Sequence, residues 1–594
     1  MSEQETSPND GQLRLTQHAM LVLWGACAQE IGLVKALEQV VLSQKTREHR
    51  PQTKIIEFLL AILAGLPHLQ DLSRSAHPLD HDQAVAEAWG QPAWADYSGV
   101  SRTLQSLTDE EVNALVDALT SVSQPFIDQE CQQALASARR LVYDADLTGR
   151  PVSNTSTTYP DTAFGYMGDT VSLGYQAALV SLHSPTFGRL WLANQLHPGD
   201  TVSVTQAQAL VLAAEARTGY RPRRRTELVS ARLTQAEAAL TAAEEPYEAS
   251  YEKQQVAQDK LHDTKIELAH WSRELHTLEA EYERNGRQPT AHCKLAIARR
   301  KVATYEKRLP RVQKAVDVAE RRLARCERRL VAAGAEVDRL RHHLQQLRSE
   351  NERNPHPVRA LFRIDGGFAS QENIAWLIEM GYDVLTKARS SAVRDDLIAA
   401  LSPETVWQRV GGNATITAWA STTADGYFTY PVDLALTRYQ TGKTVRHAVL
   451  VHYGEDDVTA DLDGWFHRYN GRQIIEAGIK EGKNVFQMHH LKVRSPQALL
   501  LQEHFACFAA NFVRFAALWL TEQQQVHEPS FGTGSVKQMV QVCAHTSAWV
   551  KHVGDVWLLT FTEQSLFAGF SLQVGIGPIQ LPLPLVRDVH FCHF

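Results

Sequence analysis

Two heptad arrays between residues 226 and 350 limit what this chain can fold into more than any other feature. An apolar position every three or four residues, sustained that long, suits paired long helices and little else. In the first array Leu233, Leu240, Tyr247, Gln254, Leu261, Leu268, Leu275 and Tyr282 fall seven apart, with Val229, Ala243, Thr264 and Leu278 in the companion seam. In the second, Leu295, Val302, Leu309, Val316, Leu323, Leu330, Val337 and Leu344 repeat in the same way, beside Ala298, Cys326, Leu340 and Leu347. Arg284-Asn-Gly-Arg-Gln-Pro289 between them is a turn signal. Residues 226–284 carry 6 basic and 13 acidic side chains, and residues 293–350 carry 16 basic and 7 acidic. Arms of opposite sign attract, so the pattern predicts an antiparallel coiled-coil hairpin within one chain, about 80–90 Å long. Pro246 and Pro310 fall inside it and are expected to kink it. Such a hairpin serves dimerisation or DNA bracing, or is a solvated rod whose charges only pair its arms.

The remaining sequence reads as several units, since 594 residues exceed what one core supports. No apolar run reaches the roughly 18 residues that span a bilayer, and the start MSEQETSPNDGQ is not that of a signal peptide. A cytoplasmic protein with no membrane partner is the expectation. The seven cysteines, Cys592 among them, include no CxxC pair, which argues against a disulfide framework and a zinc module. The net charge of −7 conceals two basic clusters. One is Arg221, Arg223, Arg224 and Arg225, and the other is Arg468, Arg472, Lys480, Lys483, Lys492 and Arg494. Local charge sets phosphate affinity more than the net value does.

The second cluster surrounds the stretch YNGRQIIEAGIKEGK. On one continuous helix Tyr469, Arg472 and Glu476 would share a face, with Lys483 two turns further along it. A carboxylate flanked by a cation and an aromatic suits a site that holds a metal ion beside a phosphodiester. The same spacing also suits an ordinary exposed i,i+4 ion pair.

Tyr-x2-Arg-x3-Glu-x6-Lys resembles the signature around the catalytic glutamate of bacterial insertion-sequence transposases with a ribonuclease H-like DDE core, across roughly residues 138–520. That resemblance requires two upstream aspartates. Leu141-Val-Tyr-Asp-Ala-Asp146-Leu-Thr148-Gly149 and Leu361-Phe-Arg-Ile-Asp365-Gly-Gly-Phe368 supply them, each after an apolar run that reads as a buried strand. Asp144 shares a strand face with Asp146 and competes for the first position; Asp-x-Thr favours Asp146.

The resemblance implies a cut-and-paste DDE transposase that cleaves DNA and transfers strands. Asp146, Asp365 and Glu476 would be the catalytic and metal-holding residues for two Mg²⁺ ions, with Mn²⁺ able to substitute. Tyr469, Arg472 and Lys483 would contact DNA. The implied partners are double-stranded DNA, as transposon ends and target, and a second copy in a homodimer. A ribonuclease H-like nuclease, a domesticated DNA-binding protein and a structural coiled-coil protein are the other readings of the chain.

The expected fold is α/β: a ribonuclease H-like mixed-sheet core interrupted by the coiled-coil hairpin and a β-rich insertion, behind a helical N-terminal domain. The boundaries are 1–137 (helical, DNA-binding), 138–225 (first part of the core), 226–350 (coiled coil), 351–400 (core with the second Asp), 401–460 (β-rich insertion), 461–525 (glutamate helix and the helix after it) and 526–594 (C-terminal region). Within the first, Gln83–Trp89 and Ser98–Leu107 resemble a helix-turn-helix, with Ser101, Arg102 and Gln105 exposed on the second helix. Trp407 and Trp419 are candidate platforms for an unpaired base. Gly442-Lys443-Thr444 resembles the end of a P-loop without its earlier glycine, and Asp461-Leu-Asp463-Gly464 resembles part of a calcium loop without its outer ligands.

Overall fold

The computed structural model describes residues 11–46, 48–168, 170–424, 426–523, 535–562 and 571–575. The first ten residues, Cys592 and most of the C-terminal region 526–594 lie outside the described residues. The chain divides into two compact units, one comprising residues 1–223 and 356–594 and the other residues 224–355.

The first unit is built on a mixed sheet of ten strands. Its strands are β2 (Leu141–Pro151), β3 (Ala163–Tyr166), β4 (Val171–Ser184), β5 (Gly188–Pro198), β6 (Ala360–Arg363), β7 (Asp383–Lys387), β8 (Gln408–Arg409), β9 (Ala414–Thr422), β10 (Val432–Thr441) and β11 (Thr444–Tyr453). The order is β3-β4-β2-β6-β7-β11-β10-β9-β8, with β5 also on β4. Only β2–β6 and β6–β7 are parallel. The apolar runs that end in Asp146 and before Asp365 are therefore central neighbours, buried on both faces.

The segment expected as a separate β-rich insertion continues this same sheet. Strand β11 pairs antiparallel with β7 from Leu450↔Lys387 to Tyr453↔Val384, which satisfies what would otherwise be an exposed edge. Gly442-Lys443 is the two-residue turn between β10 and β11, with Gly442 at φ 59°, which accounts for the P-loop likeness. Asp461 caps the helix Leu462–Asn470 by accepting from Gly464 N at 2.8 Å, which accounts for the calcium-loop likeness.

The helices between Ala19 and Ala138 share one hydrophobic core with the helix Pro496–Gln523, rather than enclosing a core of their own. A small sheet joins that core: β1 (Leu13–Thr16), β12 (Ala548–Val553), β13 (Val556–Phe561) and β14 (Ser571–Gly575). The helix Pro496–Gln523 is long and apolar enough to cross a membrane, although the sequence contains no unbroken apolar run of that length. Most of it is buried inside the protein, where Asn511 bonds both the N–H and the carbonyl of Trp191 at 2.9 Å. Arg150, at the end of β2, reaches Glu503 of the same helix at 2.9 Å, and both side chains are buried. The helices Gln83–Ala88 and Tyr97–Gln105 form as two short elements, and Arg102 and Gln105 are exposed while Ser101 is half-buried. Thr108 and Glu111 form a complete capping box for the helix Asp109–Ala138.

In the second unit Thr226–Arg284 and Lys294–Glu352 are single helices that include Pro246 and Pro310. Arg232 pairs with Glu336 at 3.3 Å, Arg341 with Glu237 at 2.7 Å, and Arg299 with Glu279 at 2.9 Å. The partner number falls as the residue number rises, so the helices run antiparallel, and each of these pairs joins the acidic arm to the basic one. The heptad positions Leu261, Leu278, Leu295, Val302, Val316, Val337 and Leu344 are buried between them.

Candidate active site

The polypeptide carries Asp146, Asp365 and Glu476 on three elements: the middle of β2, the turn after β6, and the first turn of the helix Gln473–Asn484. They meet at one guanidinium. Arg472 Nη1 lies 2.7 Å from Glu476 Oε1, and Nη2 lies 3.3 Å from Asp146 Oδ2 and 3.8 Å from Asp365 Oδ2. The exposure of the side chains rises from 8% for Arg472 and 14% for Asp146 to 38% for Asp365 and 47% for Glu476, so the group opens toward solvent on the Glu476 side.

Local chemistry sets each position. The remaining oxygen of Asp365 accepts from Gly367 N at 2.9 Å and Phe368 N at 3.3 Å, and a Cβ on Gly367 would sit 3.0 Å from that oxygen. Asp146 Oδ1 accepts from Leu147 N at 2.9 Å. Asp144 is committed elsewhere: Arg363 holds both its oxygens at 2.7 Å, deep inside the sheet.

The expected single helix through Tyr469 and Lys483 is two helices, Leu462–Asn470 and Gln473–Asn484. Between them the backbone tightens to i→i+3 bonds, Arg472 N to Tyr469 O at 3.1 Å and Ile475 N to Arg472 O at 3.0 Å. The carbonyl of Arg468, freed at this break, accepts from Arg363 Nη1 at 3.1 Å. A Cβ at Gly471 would lie 2.5 Å from that same nitrogen, so the glycine admits the guanidinium that clamps Asp144.

The glutamate helix is gripped from its other side. Arg189 of β5 donates to Ile474 O at 2.7 Å and pairs with Glu481 at 3.1 Å, while Arg514 donates to both Glu481 oxygens at 3.0 Å. Gly478 leaves room for Arg189, whose Cζ would be 2.2 Å from a Cβ there.

The electrostatics follow from this crowding. Burial raises the Asp146 carboxyl to about 6; Arg472 opposes the shift and the nearby Asp365 and Glu476 add to it. Burial works against the charge of Arg472, but Asp146, Tyr469, Asp365 and Glu476 outweigh it and hold the guanidinium protonated. Burial lowers Lys483, which lies within electrostatic reach of Arg150, Asp146 and Glu503. Tyr469 is buried in a cluster with Trp465, Leu361 and Leu385, so its ring belongs to the core.

Several cations of the two basic clusters are paired or buried. Arg468 pairs with Asp456 and Asp461 at 3.6 Å, Lys492 Nζ is buried, and Arg224 of the other cluster pairs with Glu350 at 2.7 Å. Lys480 and Arg494 are exposed. Trp407 is half-buried beneath Arg438, 4.4 Å from its ring centroid, and Trp419 is half-buried in β9. Lys387 escaped the sequence reading. It ends β7 with its Nζ 5.2 Å from the Tyr469 ring centroid, and its only sequence signal is a lysine closing an apolar strand.

Residues 331–512 match a family described as a transposase DDE domain. Over those residues the chain is similar to a transposase DDE domain. The match to that domain takes in Asp365, Lys387, Tyr469, Arg472, Glu476 and Lys483; Asp146 lies upstream of it and joins them through the β2–β6 pairing. No curated protein matches the chain.

Transposase DDE domains generally use divalent metals. Among the described residues no three His, Cys, Asp or Glu side chains are closed around a single metal-sized point, because the carboxylates surround Arg472 instead. The donor set nonetheless fits a hard cation. All three are carboxylates, each with about four lone-pair sites of which Arg472 takes one oxygen's share, so oxygen donors remain for an ion.

Proposed function

We propose that the chain is an insertion-sequence transposase that binds terminal inverted repeats and carries out Mg²⁺-dependent DNA cleavage and strand transfer by a cut-and-paste route. The observation that carries this reading is the convergence of Asp146, Asp365 and Glu476 on Arg472 from three separate elements. On this reading the central sheet is a ribonuclease H-like core, and the paired helices are a coiled-coil hairpin that braces DNA or a second subunit of a homodimer.

Asp146, Asp365 and Glu476 would hold Mg²⁺, or Mn²⁺ in its place. The bound ion would supply charge neutralisation at phosphorus and an activated water or 3′-hydroxyl. Arg472 keeps three carboxylates from repelling one another, and its short reach to Glu476 fixes that side chain's direction. Arg189, Arg514 and Gly478 fix the roll of the helix beneath Glu476, so the carboxylate is set before substrate arrives. Lys483, on the same helix, would contact the phosphates of the DNA end. The exposed Arg321, Arg322, Arg325, Arg328 and Arg329 on the basic arm suit phosphate contacts further along the duplex.

The test is a cleavage assay with the full-length protein on duplex DNA that flanks its gene. Strand cutting at the boundary of an inverted repeat, present with Mg²⁺ and absent with EDTA, supports the proposal. Metal-dependent cutting of RNA–DNA hybrids alone would instead make it a ribonuclease H-like nuclease.

A further inference from the structure

We propose that Lys387 is a phosphate-binding residue of this site, its ammonium receiving a non-bridging oxygen of the phosphodiester on which the three carboxylates act. The inference rests on the proposed function and adds to it a contact that lies outside the Tyr-Arg-Glu-Lys signature.

Three observations lead there. The first is register. Strands β6 and β7 run parallel with Arg363 opposite Leu385, and Ile364 N extends the ladder to Leu385 O at 3.1 Å. Two residues on, Asp365 and Lys387 fall side by side on one face. The second is preorganisation. The Lys387 ammonium lies 5.2 Å from the Tyr469 ring centroid and 6.0 Å from that of Tyr439, so two aromatic rings flank it and limit the rotamer entropy lost on binding.

The third is charge accounting across the site. Arg472, the cation that the signature would assign to phosphate, is occupied by all three carboxylates. Among the described residues no carboxylate oxygen comes within the 4.0 Å of an ion pair with Lys387. A phosphodiester entering beside three carboxylates meets repulsion, and a positioned cation outside any direct ion pair offsets it best. Lysine suits the place, because a compact ammonium fits between two rings where a planar guanidinium would stack on one of them.

The experiment compares full-length wild type with Lys387→Gln and Lys387→Arg on the duplex that flanks the gene. With Mg²⁺, Lys387→Gln is expected to cut about 10²-fold more slowly at an unchanged melting temperature, and Lys387→Arg to recover only part of that loss. Binding is then measured in Ca²⁺ on two duplexes, one natural and one with a neutral methylphosphonate at the position where the wild type cuts. Lys387→Gln should bind the natural duplex with a salt slope smaller by about one, and the two proteins should bind the neutral duplex alike. Wild-type cutting with equal cutting by Lys387→Gln overturns this assignment alone. A loss of affinity that is the same on both duplexes also overturns it, because the lysine would then be acting at another phosphate. Failure of the wild type to cut any flanking duplex overturns the parent reading and this one together.

Discussion

Asp146 carries the clearest residue-scale consequence, because its carboxyl is raised to about 6 in the folded chain against about 3.9 when unfolded. Between those values the folded protein keeps a proton that the unfolded chain has lost. Without divalent ions its contribution is therefore fully favourable below about pH 4 and is lost as pH rises to about 6, a change of about 2–3 kcal/mol. Asp146→Asn is expected to abolish cleavage yet raise the melting temperature in EDTA at pH 7, with no gain at pH 4; a variant less stable than wild type at pH 7 would contradict this. Burial raises the Asp144 carboxyl as well, but substitution there is expected to act oppositely, because Arg363 holds both of its oxygens. Asp144→Asn leaves Arg363 buried with half its partner gone, so a loss of about 3–5 kcal/mol in denaturant unfolding is expected, from structural rather than catalytic causes. Sequence spacing placed both aspartates on one strand face and could not separate their roles. What separates them is Arg363, since its guanidinium takes up both oxygens of Asp144 and reaches neither oxygen of Asp146.

At the scale of elements, the break at Gly471 and the notch at Gly478 matter most. Gly478→Ala would drive a methyl into the Arg189 guanidinium and shift the helix Gln473–Asn484 away from β5. We expect a loss of about 1–3 kcal/mol in stability, together with a fall in cleavage rate larger than the fall in DNA affinity, measured by melting, single-turnover cleavage and binding in Ca²⁺. Neither glycine's purpose is visible in the local sequence, because the groups that fill the spaces, Arg363 and Arg189, are supplied by distant strands. The helix periodicity around Glu476 was legible, and so was the strand–turn pattern at Asp365. The interruption between Tyr469 and Glu476 was not, since φ and ψ stay helical through it and only tertiary contact decides where the bonds tighten. The β-rich character of residues 401–460 was equally legible, while the attachment of these strands to β7 depends on a long-range pairing that composition does not encode.

For the molecule as a whole, the chain leaves the first unit at Arg223 and re-enters it at His356, and Val358 N bonds Arg221 O at 3.2 Å. The two ends of the excursion are thus neighbours within that unit. Replacing residues 226–350 with a short Gly-Ser linker should leave the ten-stranded sheet folded, as judged by a cooperative melt, and impair assembly of a complex that holds two DNA ends. A deletion protein that pairs ends and cuts normally would remove the bracing role from the long helices. The central claim, that Asp146, Asp365 and Glu476 form one metal-dependent phosphodiester site, has a more direct test in cleavage of the flanking duplex by Asp146→Asn, Asp365→Asn and Glu476→Gln, each assayed with Mg²⁺ beside its end binding in Ca²⁺. A neutral amide keeps the shape but cannot balance a divalent charge, so each variant alone should lose cleavage while still binding DNA ends. Cutting at the wild-type rate by any of the three would contradict the account.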